Sequence, residues 1–232
     1  MKASSPKPSV LKTSVLQTSV LKTSIIVLLI SAATLLAGTS TAATSVTRNH
    51  SVDVTDVEEI VLEGGVGSMK IETTTGTELQ VELDIEADRN WWGRRRDVDD
   101  IDLKISRSGN RLTIEVNEQD LDDLELHWRV AMPEVEKTSI NLGVGQIIAE
   151  VGDTELNVDL GVGEARISVP LQHAGLIETS AGVGDASISG GTDTVNDRAF
   201  VSANARSHGA GSRDVDVQVG VGDASVSLSS NQ

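Results

Sequence analysis

Trp91 and Trp92, followed by Gly93 and then by Arg94, Arg95 and Arg96, are the residues whose types and spacing point most directly to recognition chemistry. Indole rings beside guanidinium groups can stack on sugars, sit at a lipid headgroup layer or anchor a protein partner, because they join apolar area to cationic hydrogen-bond donors. In the competing reading the two rings cover an open end or face of the fold, and the arginines pair with Asp97, Asp99, Asp100 and Asp102. A second candidate is the set Glu164, Asp185 and Asp223, each directly after a Gly-Val-Gly triplet, where Ser68 and Gln146 stand in the other copies. Aligned in a row, these acids could hold Ca²⁺, which prefers hard oxygen ligands. Yet unit charges ~4.8 Å apart in water repel by only about 1 kcal/mol, so solvent tolerates the row with no ion. Turn acids also commonly accept backbone hydrogen bonds. No metal is expected there, with calcium as the alternative.

Catalytic patterns are missing from the sequence. His50, His127, His173 and His208 are scattered without metal-ligand spacing, and neither a His-Glu-x-x-His nor a Gly-x-Ser-x-Gly sequence occurs. The Gly-Val-Gly triplets imitate part of a dinucleotide fingerprint, but no helix follows them to bind a pyrophosphate. With no Cys there is no thiolate, disulfide or cysteine zinc site, so no cofactor is expected. An enzyme acting on acidic polysaccharide is the alternative, since some parallel β-helices have that activity. Such a site needs a cationic cluster. Beyond Lys137 there are only Arg166, Arg198, Arg206 and Arg213 against 12 acids, which argues against it. A formal charge of −16 over 232 residues excludes general affinity for nucleic acid.

The elements that position these residues come from a repeat. Gly-Val-Gly occurs at Gly65 to Gly67, Gly143 to Gly145, Gly161 to Gly163, Gly182 to Gly184 and Gly220 to Gly222. First-glycine spacings are 78, 18, 21 and 38, which one unit of about 19–20 residues accounts for if the long gaps hold several units. Before each central valine, apolar residues alternate (Ile140, Leu142, Val144; Val215, Val217, Val219, Val221), which is the period of a strand with one buried face. After it the next apolar residue comes three positions on, as Met69, Ile147, Ala165, Ala186 or Ala224, and alternation resumes. A step of three would flip a straight strand, so the glycines predict a corner that keeps both halves, central valine included, facing inward. Coils of two short strands stacked at ~4.8 Å would form a parallel β-solenoid or β-roll. Between Leu79 and Met132 the pattern differs: two strands flank Ser108-Gly109-Asn110 as an antiparallel hairpin insertion. A loop inserts at about 88–99.

The N-terminus reads as an address. Lys2, Lys7, Lys12 and Lys22 precede a 13-residue apolar run from Ile25 to Ala37, then small residues up to Ala43. As a helix that run spans roughly 20 Å, short of the ~30 Å hydrocarbon core, so residues 1–43 are expected to be a cleaved signal peptide and 44–232 a single domain without a membrane span. An uncleaved anchor is the alternative. Loss of four lysines and no acid leaves 15 basic against 35 acidic residues, or −20.

The stretch Ser51 to Glu63 (Ser-Val-Asp-Val-Thr-Asp-Val-Glu-Glu-Ile-Val-Leu-Glu), the segment Gly65-Val-Gly-Ser-Met-Lys-Ile and the run Trp128-Arg-Val-Ala-Met-Pro ahead of the Gly-Val-Gly units resemble the bacterial candidate-adhesin β-strand-repeat families of unknown function. Toast-rack solenoid domains share the style more distantly. The resemblance covers about residues 51–228. It implies an exported β-solenoid at the cell envelope. The chain is accordingly expected to be a non-enzymatic structural or binding module of the periplasm, cell surface or extracellular space, with an envelope protein or glycan as partner and the loop of Trp91, Trp92, Arg94, Arg95 and Arg96 as its contact point. It brings no catalytic residues. A periplasmic partner of a membrane signalling system is a further alternative.

Overall fold

Alternation of Val, Ile and Leu with polar residues runs through most of the chain, and strands follow from it. The computed structural model describes residues 45–87, 98–117, 121 and 124–230. Its elements are β1 (Ser45–Asp53), β2 (Glu59–Thr74), β3 (Glu78–Ala87), β4 (Leu103–Ser108), β5 (Arg111–Val116), β6 (Leu124–Pro133), β7 (Lys137–Glu150), β8 (Glu155–Pro170), β9 (Ala174–Ser189), β10 (Thr192–Ala199), β11 (Ser202–His208) and β12 (Arg213–Ser229). No helix occurs among the described residues, and hence none able to cross a membrane.

One mixed 12-stranded sheet contains them all, in the order β1-β3-β6-β2-β7-β8-β12-β9-β11-β10, with β5 on the first half of β2 and β4 on β5. Its centre, β2-β7-β8-β12-β9, is parallel. Both ends are antiparallel. The hairpin of β4 and β5 turns at Gly109, whose φ is +62°. Within the parallel centre the register is constant across each triplet: Val66 lies beside Val144, Val144 beside Val162, Val162 beside Val221, and Val221 beside Val183.

Buried side chains form ladders on both sides of the corner. Before it run Leu62, Ile140, Val158, Val217, Thr179 and Ala205, and beyond it Ile71, Ala149, Ile167, Val226 and Ile188. Apart from Thr179, the residues of these two rows join one hydrophobic cluster, in which Trp128 is the largest fully buried side chain. Each Val or Ile so buried contributes about 2 kcal/mol of transfer free energy.

Three expectations require correction. The strands do not stop at the corner: β8 runs unbroken for 16 residues and β12 for 17. The 78-residue and 38-residue gaps do not hold hidden triplet units. Strands β3 to β6 fill the first, with β3–β6 and β4–β5 paired antiparallel and with β5 and β6 parallel to the two halves of β2, and the β10–β11 hairpin lies in the second. Nor do the triplets stack in chain order, because β12 lies between β8 and β9 and pairs with both in parallel. The five triplets are nearly identical, so nothing local distinguishes one neighbour from another.

The fourth correction concerns the central valines. Val66, Val144, Val162, Val183 and Val221 are between 37 and 47% exposed, where an inward position was expected. The second glycine of each triplet explains why. At Gly145 φ is +144° and at Gly163 it is +141°, a region closed to most L residues. A Cβ on either would collide with the carbonyl oxygen of the matching glycine on the next strand, Gly67 and Gly145 respectively. With its glycines pressed along the stack, the backbone changes direction at the triplet, and the valine at the apex of the bend projects into solvent. The inward face resumes at Met69, Ile147, Ala165 and Ala224.

Candidate functional site

Two surfaces emerge from this arrangement. The first is the apolar row itself. Strand pairing spaces neighbouring side chains at ~4.8 Å, so the five valines make a ridge roughly 19 Å long. Beyond Val183 the row continues: Gly184 N–H donates to the Val201 carbonyl at 2.9 Å, which sets Val201 at the ridge end. Beside it Phe200, the chain's one phenylalanine, is fully exposed at the turn between β10 and β11 and holds a φ of +49°. Strand β10 next to it is exposed along its whole length.

The acids after the triplets line up beside this ridge. Glu164 lies beside Asp223 and Asp223 beside Asp185, with Gln146 on the other side of Glu164. Each carboxylate already has a partner. Arg166 Nη2 is 2.5 Å from Glu164 Oε1, Arg198 pairs with Asp185, and Asp223 accepts the Asp185 backbone N–H at 3.2 Å. Trp91, Trp92, Arg94, Arg95 and Arg96 lie outside the described residues.

The second surface is the polar face of β3, β6 and β2. Period two puts Glu125, His127 and Arg129 on one side of β6, and antiparallel register sets Glu86, Asp84 and Glu82 directly opposite them. Arg129 Nη1 bonds Asp84 Oδ2 at 2.8 Å and also engages Glu82. Thr47 donates to Asp84 at 2.6 Å; this hydroxyl and the guanidinium of Arg129 hold the Asp84 carboxyl below its usual range against a modest burial effect. His127 Nδ1 is 2.8 Å from Ser68 Oγ on β2, and its Nε2 is 3.6 Å from Glu125 Oε1. One ligand atom each of Glu86, Glu125 and His127 lies within 4.8 Å of the other two. Sequence templates for metal sites miss this cluster, because Glu86 is remote in the chain and the templates describe helices. Glu125 and His127, two apart in an alternating run, were the available signal.

Fold and surface together define an all-β repeat protein with a glycine-cornered parallel centre. No family model and no curated protein matches the chain. A solved structure, a candidate cell adhesion protein from Clostridium sporogenes ATCC 15579, is similar over 80% of this chain and 100% of its own, with a TM-score of 0.51 and 16% identity. That likeness bears out the adhesin-type resemblance at the level of the fold. A candidate adhesin from Parabacteroides merdae ATCC 43184 matches over 61% of this chain and 62% of its own at 9% identity, with a TM-score of 0.33, too slight to carry an argument.

Proposed function

We propose that this chain is an exported, non-enzymatic surface module, an adhesin-like β-solenoid that binds an envelope protein or glycan along its valine ridge. In this reading residues 1–43 are a signal peptide and 44–232 the working domain. The exposed row from Val66 to Val183 carries it. Single exposed valines are ordinary on a soluble protein, whereas a contiguous apolar row in strand register is the kind of feature that marks an interaction surface. Its backbone is held by glycine contacts along the stack, so a partner would meet a surface that needs little ordering. The coil reading is supported by the 18-residue offset between Lys137 and its neighbour Glu155, which requires the chain to run out, bend and return. The role in the name of the Clostridium sporogenes protein is of the same kind. Trp91, Trp92 and the three arginines after them serve as an accessory contact.

One observation favours a second reading, a polysaccharide-acting enzyme: Glu82, Asp84, Glu86 and Glu125 gather beside Arg129 and His127 on one face. Against it, Arg129 is committed to Glu82 and Asp84 rather than free for an acidic substrate. Release of reducing ends from a uronate polysaccharide by the pure protein would establish that reading instead.

The test compares retention of envelope extract on the wild-type chain, on a Val144→Ser/Val162→Ser/Val221→Ser variant and on a Trp91→Ala/Trp92→Ala variant. The ridge variant should melt like wild type and bind at least tenfold more weakly. Equal retention by that variant refutes the ridge as contact, and loss in the tryptophan variant alone moves the contact to the loop. The native chain should begin at Ala43 or Thr44 by mass; a retained N-terminus would point to the membrane signalling partner.

A further inference from the structure

We propose that Glu86, Glu125 and His127 form a surface site for a divalent transition-metal ion of the zinc type. The site is independent of the valine ridge, lying on the outer face of β3 and β6.

Ligand geometry supports it first. In a tetrahedral zinc site with bonds of about 2.0–2.2 Å the ligand atoms are roughly 3.3–3.6 Å apart. Here the three candidate atoms already lie within 4.8 Å of one another, and His127 Nε2 is 3.6 Å from Glu125 Oε1. Rotation of two exposed glutamate side chains closes the remainder with no movement of the backbone. The strands fix the rest, since Glu125 and His127 share a face of β6 and Glu86 is the direct cross-strand neighbour of Glu125.

The imidazole is oriented from behind. Ser68 Oγ, on the adjacent strand, lies 2.8 Å from His127 Nδ1. When this oxygen accepts from Nδ1–H, the lone pair is at Nε2, the nitrogen nearest the carboxylates. A hydrogen bond at the far nitrogen is the support that metal-bound histidines usually have.

Charge adds to this. Glu86 has no ion pair or hydrogen-bond partner among the described residues, and Glu125 is ion-paired there with His127 and otherwise lies beside Glu86, a second carboxylate. Of the cations on this face, Arg129 is occupied by Glu82 and Asp84 and its neighbour Lys70 by Glu72, so two carboxylates are left to meet a positive ion. One imidazole with two carboxylates suits zinc and its first-row neighbours, whereas Ca²⁺ and Mg²⁺ select oxygen ligands alone.

Zinc chloride titrated calorimetrically into the full chain in a non-chelating buffer tests the site, with Mg²⁺ and Ca²⁺ as comparison ions. Nuclear magnetic resonance of the imidazole nitrogens reports which histidine is engaged. The expected result is one ion per chain, a shift at His127 Nε2, loss of that binding in His127→Gln, at least tenfold weakening in Glu86→Gln and Glu125→Gln, and roughly 10–100-fold weakening in Ser68→Ala. All four positions are on the outer face, so circular dichroism and melting should be unchanged. Equal zinc affinity in His127→Gln, a resonance shift confined to His50, His173 or His208, calcium binding as tight as zinc, or no zinc uptake up to about 1 mM would each overturn the proposal.

Discussion

Val158 and Val162 belong to the same strand and the same residue type, yet they have opposite fates. Val158 sits in the buried ladder between Ile140 and Val217, at 2% exposure, while Val162 stands on the apex of the glycine corner at 45%. Val158→Asp buries an unpaired charge and should cost about 3–5 kcal/mol, enough to unfold a marginal domain. Val162→Asp places its charge in water and should change stability by less than about 1 kcal/mol. Urea unfolding of the two variants distinguishes them directly, and similar midpoints would contradict the exposed apex. Thr179 illustrates the opposite imbalance: it occupies a ladder position between Val217 and Ala205, and its hydroxyl is buried without a hydrogen-bond partner among the described residues.

Between elements, the turn after β7 is tied to the start of β12 and to the β8–β9 connection. Arg213 Nε bonds Asp153 Oδ1 at 2.7 Å, and His173 Nδ1 approaches the same oxygen at 3.7 Å. The Arg213 hydrogen bond is the chief reason the Asp153 carboxyl is held below its ordinary range, opposed in part by burial. A depressed carboxylate contributes stability that is complete above its unfolded pKa and is lost as pH falls through the folded value. Acidification below about pH 4 should therefore erode this link. Arg213→Gln should lower the urea midpoint at neutral pH and flatten its decline below pH 4, so that the variant and wild-type curves converge in acid; parallel curves would dismiss the ion pair as a contributor. Elements of this kind were largely legible from the order of apolar and polar residues along the chain. Alternation marked the strands, Gly109 marked the hairpin, and the step of three after each central valine marked the corner. Hydrophobicity was misleading at Val144 and its counterparts, because direction at a bend depends on glycine φ rather than on side-chain type. The Glu86, Glu125 and His127 cluster needed the β3–β6 register, which no local pattern supplies.

For the molecule as a whole, the decisive feature is the place of β12. It pairs with β8 along one side and β9 along the other, so the parallel centre is incomplete until the segment from Arg213 to Ser229 is in position. Without it two long edges of unpaired N–H and C=O groups face each other across a gap, and such edges recruit other chains. Removal of residues 213–232 should move the gel-filtration peak from that of the full chain to larger oligomers or aggregate; a truncation that elutes no larger than the full chain and melts cooperatively would show that β8 and β9 close on each other instead. The sequence did not reveal this order, because each Gly-Val-Gly unit fits every other equally well.

The same arrangement limits how the protein can lengthen. Among the triplet-bearing strands, β7 and β8 are consecutive both along the chain and across the sheet, joined by four residues at an offset of 18. A duplicated 18-residue segment inserted there would slide in as one more rung and extend the apolar crest by about 4.8 Å. A copy added between β8 and β9 would have to step over a rung already occupied. Growth of this molecule thus has a single convenient seam, and relatives with longer crests should carry their extra rungs at that point.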